Sequence, residues 1–123
     1  MKKIWTSIII AVILIALIFA IKPIMTGKSV DENKLAMDEF AQCLTDAGLV
    51  MYGTDWCSHC QAQKKLFGKS FKKIKFVDCD RNSFLCNSEG VQGYPTWKIN
   101  GASYPGEQSF YTLGGLTGCQ VPN

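Results

Sequence analysis

Residues 51–60 read M-Y-G-T-D-W-C-S-H-C, and this stretch decides the fold because it leads from a buried strand into a helix through two cysteines. The apolar run Leu49–Tyr52 is typical of a buried strand. Gly53 and the polar residues after it predict a turn, and the residues from Cys57 to about Ser70 suit a helix. The first cysteine is therefore expected at the N-terminus of a helix, directly after a strand.

The patterns on either side predict an α/β domain in which helices cover a mixed central sheet. Apolar residues at helical spacing predict a first helix over Asn33–Asp46, and Gly48 is a suitable stop. The Asn100-Gly101 pair is a strong signal for a two-residue hairpin. The remaining predicted elements are strands at Ile74–Val77, Thr96–Ile99 and Ala102–Tyr104, and helices at Arg81–Glu89 and about Gln108–Leu116.

Length, cysteine content and charge limit the class of protein. The chain has 123 residues, and the roughly ninety that follow the N-terminal segment suffice for one small domain. Its six cysteines are more than a reduced cytosolic protein normally carries, which indicates an oxidising compartment. A net charge of +3, without interleaved basic and aromatic residues, argues against nucleic acid as a partner.

The N-terminus predicts a membrane anchor over residues 1–21. The stretch Ile4–Ile21 has only two polar residues, and its length of about 18 residues is close to that of a membrane-spanning helix. A cleaved signal peptide is the alternative, although its apolar region would be shorter. Two lysines before the stretch favour a cytoplasmic N-terminus, so either reading exports the domain at 33–123, behind a linker at 22–32. We expect a single-pass membrane protein whose catalytic domain lies on the non-cytoplasmic side.

The sequence Cys57-Ser58-His59-Cys60 places two thiols where a helix begins, so that they can cycle between dithiol and disulfide. Unpaired backbone N–H groups at the helix N-terminus would stabilise the Cys57 thiolate, which makes Cys57 the expected nucleophile. Cys60, one turn further on, is the expected resolving thiol. His59, the only histidine, would stabilise the thiolate further; the alternative is an exposed helix residue without a role. No cofactor is expected, because the two sulfurs hold the electrons.

Alternatives exist for this motif and for its neighbour Trp56. A C-x-x-C pair can also be half of a zinc site or an inert staple, but the other four cysteines form no second close pair, so no metal is expected. Trp56 is a candidate substrate contact, and capping of the core is its alternative role. The lysines that follow the motif are interpreted as a solvated helix face, and contact with anionic lipid headgroups is the alternative; they are Lys64, Lys65, Lys69, Lys72 and Lys73.

The motifs W-C-S-H-C at 56–60 and G-Y-P-T at 93–96 resemble the thioredoxin superfamily. The resemblance covers nearly all of 33–119 and implies a thioredoxin-like fold with thiol–disulfide oxidoreductase activity. It also implies that Pro95 is cis and sits against the reactive pair, and that Tyr94 offers backbone hydrogen bonds to an extended substrate.

More narrowly, residues 38–44, 51–60, 77–80, 85–86 and 93–97 resemble the thioredoxin-like partner of vitamin K epoxide reductase homologues. This resemblance implies oxidation of exported protein thiols, with re-oxidation by a membrane enzyme that passes electrons to a quinone. The sequence departs from the family at two positions. Ser58 stands where that group often has proline, and Met51 stands where cytosolic thioredoxins place a buried acid.

The four remaining cysteines allow three pairings. We favour Cys79 with Cys86, which closes a short loop, and Cys43 with Cys119, which ties the first helix to the end of the last. A relay role for Cys79 and Cys86 is the alternative.

The leading hypothesis is therefore an oxidant of exported protein thiols, attached to the membrane and recycled by an enzyme of the vitamin K epoxide reductase type. A reductase or isomerase of the same compartment is the second hypothesis. A non-catalytic metal-binding or scaffold domain is the third.

Overall fold

The four strands of the domain form a single sheet. The computed structural model describes residues 1–20 and 29–123. In this part of the chain the helices are α1 (Lys2–Ala20), α2 (Ser29–Asp46), α3 (Ser58–Phe67), α4 (Ser83–Ser88) and α5 (Phe110–Thr117), with a 3₁₀ helix at Gly68–Lys73. The strands are β1 (Val50–Gly53), β2 (Lys75–Asp78), β3 (Thr96–Ile99) and β4 (Ala102–Pro105).

The sheet is mixed, and its strand order is β2-β1-β3-β4. β1 runs parallel to β2 and antiparallel to β3, while β3 and β4 form an antiparallel hairpin. Asn100 and Gly101 have φ values of 50° and 79°, and a two-residue turn of this kind requires positive φ at both central positions. The predicted α/β fold with a mixed sheet and helices around it is confirmed.

The main core joins both ends of the domain to the sheet. Trp97 on β3 and Met51 on β1 are fully buried, and Leu44 of α2 and Leu113 of α5 are buried with them. The rings of Phe67 and Phe110 lie 4.8 Å apart in an edge-on arrangement, which aromatic pairs favour. Through Phe67, α3 packs against α5 and against Trp97 of the sheet. This packing holds α3 in place, with its N-terminus following the turn after β1.

The helix that follows the two cysteines is shorter than predicted. The sequence pattern predicts helix to about Ser70, but α3 ends at Phe67 and the chain continues as the 3₁₀ helix to Lys73. Gly68 adopts a φ of 55°, and its N–H group donates to the carbonyls of Lys64 and Lys65. A glycine in this conformation is a common helix stop, because it has no Cβ to clash.

The N-terminal predictions meet the structure only in part. α1 begins at Lys2, and its side chains from Met1 to Ile18 are exposed. Among residues 1–20 and 29–123, no helix has both the length and the apolar character that crossing a bilayer requires, so the predicted transmembrane span of 1–21 is not found there. Residues 21–28, which include the end of that span and most of the predicted linker at 22–32, lie outside the described residues. α2 begins at Ser29, four residues before the predicted start of this helix at Asn33.

Candidate active site

Cys57 occupies the N-cap of α3, directly after the turn that leaves β1. Its backbone is extended, with φ −72° and ψ 117°, and its sulfur accepts a hydrogen bond from the backbone N–H of Cys60 at 3.1 Å. The side chain is 7% exposed. An N-cap group receives the unpaired N–H groups and the positive end of the helix dipole, and both favour a negatively charged sulfur.

Cys60 lies one turn into α3 and is fully buried. Burial raises the pKa of its thiol to about 12, and the neighbouring Cys57 adds to the rise, whereas a hydrogen bond from the Thr54 backbone and the charge of Lys64 oppose it. Gly53 leaves room for this sulfur, because a Cβ at Gly53 would lie 2.7 Å from Cys60 Sγ. The two thiols therefore differ in environment: that of Cys57 keeps a small exposed area and is hydrogen-bonded, and that of Cys60 is fully enclosed.

His59 is turned toward the loop between β4 and α5. Its Nδ1 lies 2.6 Å from Glu107 Oε1, so the imidazole can donate to the carboxylate. The His59 side chain is 72% exposed, as the alternative reading of this residue expects, but it has a charged partner that the sequence analysis missed. No local pattern connects positions 59 and 107, because only the fold brings the loop to the helix.

Tyr94 and Pro95 directly precede β3, and Trp56 directly precedes Cys57. The Tyr94–Pro95 peptide bond is cis, as the resemblance implies, and the Pro95 carbonyl accepts from the Gly106 N–H at 2.7 Å. Tyr94 packs against the core cluster that contains Cys57 and Cys60. The rings of Trp56 and Tyr94 meet edge-on with centroids 6.2 Å apart. Trp56 is 71% exposed, so it does not cap the core and remains a candidate substrate contact.

The other four cysteines form two disulfide bonds. Cys43 is bonded to Cys119 and Cys79 to Cys86, with sequence separations of 76 and 7 residues. These are the pairings that the sequence analysis favours. Cys79 and Cys86 are 3% and 2% exposed and pack in a second small core cluster, which is the environment of a structural bond rather than of a relay.

A metal site is not evident in the described part of the chain. Residues 1–20 and 29–123 contain no group of three or more His, Cys, Asp or Glu side chains placed to hold a metal ion. The pair at 57 and 60 therefore has no further ligands there with which to form a four-ligand zinc site.

Comparison with known proteins decides the family. The thioredoxin family model matches residues 31–112. The chain belongs to the thioredoxin family. Together with the two free thiols at the start of α3, this membership makes the domain a thiol–disulfide oxidoreductase of the thioredoxin type, as the sequence predicts.

Curated relatives share this domain and are much longer than the matched region. A thiol-disulfide oxidoreductase of Arabidopsis thaliana, LTO1, is 34% identical over 87 residues, which cover 63% of this chain and 23% of that protein. A protein disulfide-isomerase of Aspergillus niger is 35% identical over 78 residues, or 56% of this chain and 15% of that protein. Protein disulfide isomerase-like 2-1 of Oryza sativa subsp. japonica is 39% identical over 69 residues, which cover 48% of this chain and 19% of that protein.

Three polar side chains near the site have surroundings that were not foreseen from the sequence. Lys64 is only 18% exposed, and its ammonium group lies 3.0 Å from the Asp55 carboxylate, so it does not belong to a solvated lysine face. Gln63 is fully buried, accepts from the Trp97 indole and the Gln108 N–H, and donates to the Gln108 carbonyl. Thr54 Oγ1 is buried without a hydrogen-bond partner in the described structure. Glutamine and threonine give no sequence signal of such roles.

Proposed function

We propose that this protein introduces disulfide bonds into exported proteins. The Cys57–Cys60 disulfide accepts electrons from a substrate thiolate, which attacks the sulfur of Cys57 and forms a mixed disulfide. A second substrate thiolate then attacks the substrate sulfur of that mixed disulfide. The substrate gains a disulfide, and Cys57 and Cys60 become thiols.

The observation that carries the proposal is the position of Cys57 at the N-cap of α3. Its sulfur accepts the Cys60 N–H, so the reduced protein gains a hydrogen bond at this sulfur. Stabilising the reduced form makes the disulfide a stronger oxidant. The position beneath the pair, Met51, is apolar and fully buried, and no carboxylate is buried among the side chains that the structure describes.

The disulfide bonds of the other four cysteines support a non-cytoplasmic location for the domain. Two further disulfides in one small domain are typical of proteins that work where disulfides persist. We therefore place the domain on the non-cytoplasmic side of a membrane. We propose that α1 attaches it there, because apolar side chains occupy all faces of this helix and those of Ile8, Leu14 and Ile18 are 54%, 55% and 69% exposed.

The membrane partner is proposed from the narrower resemblance. An enzyme of the vitamin K epoxide reductase type would take two electrons from the Cys57–Cys60 dithiol, regenerate the disulfide, and pass the electrons to a quinone. The exposed Trp56 ring and the half-buried Tyr94 ring that it contacts form the surface on which we place both the substrate segment and this partner.

The equilibrium reduction potential of the Cys57–Cys60 pair tests the direction of electron flow. We expect a value of about −120 to −180 mV for the full chain in detergent, measured against glutathione buffers with alkylation mapping of all six cysteines. We expect His59→Ala to lower the potential by about 30 mV, which corresponds to about 1.4 kcal/mol, because the sequence predicts that His59, between the two cysteines, favours the reduced pair. Ser58→Ala is the matched control on the exposed side of the same turn. A potential near −270 mV or below would identify a reductase instead.

The recycling step can be tested in membrane vesicles. We expect the reduced protein to be re-oxidised when vesicles from its source are supplied with a quinone, and to stay reduced when the quinone is omitted. Cys60→Ser, which cannot form the internal disulfide, is the control for unspecific oxidation. Re-oxidation at equal rates with and without quinone would rule out this partner class.

The attachment of α1 to lipid can be tested by fractionation. We expect the full chain to remain with membranes after extraction at high salt and at alkaline pH, because exposed apolar side chains gain free energy on leaving water. Replacing Ile8, Leu14 and Ile18 with serine should release the protein. Complete release of the unmodified chain would contradict the attachment.

A further inference from the structure

Lys64 is a positively charged residue on the same face of α3 as Cys60. Residues four apart on a helix lie one above the other, so Lys64 follows Cys60 along the buried side of α3. Its ammonium group lies 4.0 Å from the centroid of the Phe76 ring and 5.5 Å from that of Phe71. Its side chain is 18% exposed, so its charge is screened less by solvent than that of a surface lysine.

Phe76 connects this lysine to the buried thiol. A Cβ placed at Gly53 would lie 2.7 Å from Cys60 Sγ and 3.3 Å from the Phe76 ring, so the sulfur and the ring border the same small space at the end of β1. Met51 pairs with Phe76 across β1 and β2. The strands beneath Cys60 thus present uncharged side chains to it.

Asp55 holds the lysine in this position. Its carboxylate accepts from the Lys64 ammonium at 3.0 Å and is itself 67% exposed. Gln61 reinforces the turn by donating to the Asp55 carbonyl at 2.6 Å. The charged and titratable groups that face Cys60 are therefore Cys57 and Lys64 of α3, with Asp55 behind the lysine.

We propose that Lys64, held by Asp55 above the Phe76 ring, is a positioning residue that stabilises Cys60 as a leaving thiolate. When a thiolate attacks Cys57 Sγ, the Cys57–Cys60 bond breaks and a new bond forms between Cys57 and the attacking sulfur. Cys60 departs with the electron pair and later takes a proton from water. A leaving thiol with a lower pKa leaves faster, and the charge of Lys64 lowers the pKa of Cys60.

This proposal rests on exchange at the Cys57–Cys60 pair but not on the direction in which the cell uses it. The opening of the disulfide by an added thiol can be followed by tryptophan fluorescence in stopped flow, with 2-mercaptoethanol as a small probe that carries no charge other than that of its attacking thiolate. We expect Lys64→Met to slow this step on the order of threefold, since exchange depends moderately on the leaving group. Lys64→Arg keeps the charge and should retain most of the rate, and Lys65→Met, which removes an exposed charge one residue away, should leave it unchanged.

Two further readouts separate this role from a structural one. In a Cys57→Ser background, the pH midpoint of thiolate formation at Cys60, followed by the ¹³C chemical shift of its Cβ, should rise when Lys64 is replaced with methionine and not when Lys65 is. At pH 7 the equilibrium constant with 2-mercaptoethanol should change less than the rate, because reduced Cys60 is protonated there. Equal slowing by both methionine variants, an unchanged Cys60 midpoint, or a parallel loss of rate and equilibrium constant would overturn the proposal. A potential near that of a reductase would overturn the proposed function and leave this inference standing.

Discussion

We expect the Cys60→Ser variant to accumulate disulfide-linked complexes with substrate proteins, and the Cys57→Ser variant to form none. Cys57 is at the surface end of α3 and is 7% exposed, whereas Cys60 is fully buried, so a substrate sulfur reaches only the first. In Cys60→Ser the Cys57 thiolate attacks a disulfide of a substrate protein, which is the reverse of the oxidising reaction, and the mixed disulfide persists because Cys60 is not there to displace the substrate sulfur. Both variants should lose at least about a hundredfold in catalysed thiol oxidation, because the covalent step needs both sulfurs.

The complexes can be measured by non-reducing electrophoresis after acid quenching and alkylation. Ser58→Ala, at the exposed position between the thiols, is the matched control and should behave as the unmodified chain. Complexes formed by Cys57→Ser in the same amount as by Cys60→Ser would show that the buried thiol is the attacking one, which would reverse the assigned roles.

The second large effect concerns stability. Replacing both Cys43 and Cys119 with alanine should lower the free energy of unfolding by about 4 kcal/mol. Replacing Cys79 and Cys86 should lower it by only about 2 kcal/mol, because the entropy that a disulfide removes from the unfolded chain grows with the length of the loop it closes. The bonds span 76 and 7 residues respectively. Denaturant unfolding of the two double variants, with Cys57 and Cys60 held reduced, measures both values.

The two double variants serve as controls for each other, because each removes one disulfide bond between largely buried sulfurs. An equal loss in the two variants would mean that native packing around the sulfurs, rather than loop closure, dominates the contribution. A larger loss from Cys79 and Cys86 would point to the packing of their cluster with Tyr52 and Val91.

The apolar residue at position 51 of β1 distinguishes this chain from the cytosolic thioredoxins that the sequence resembles. The sequence shows a methionine where those proteins place a buried acid, and the structure adds that Met51 pairs with Phe76. A charge near the buried thiol must then come from another element. In this fold it comes from α3 itself, through Lys64.

Local sequence patterns determined the order of helices and strands, the hairpin at Asn100-Gly101 and the position of Cys57 at a helix N-terminus. Each of these depends on residues within one or two turns of chain, where periodicity, glycine conformations and capping act directly. The end of α3 was misplaced by about three residues, because the helix stops at Phe67, before Gly68, rather than at about Ser70.

Only the tertiary structure decided which side chains meet at the site. The sequence left three pairings open for four cysteines, and it showed neither the contact of His59 with Glu107, 48 residues apart, nor that of Lys64 with Asp55, 9 residues apart. Such contacts depend on how α3, the sheet and the β4–α5 loop pack together. A charged residue has the same local pattern whether it faces solvent or a buried thiol, so its role appears only when the chain is folded.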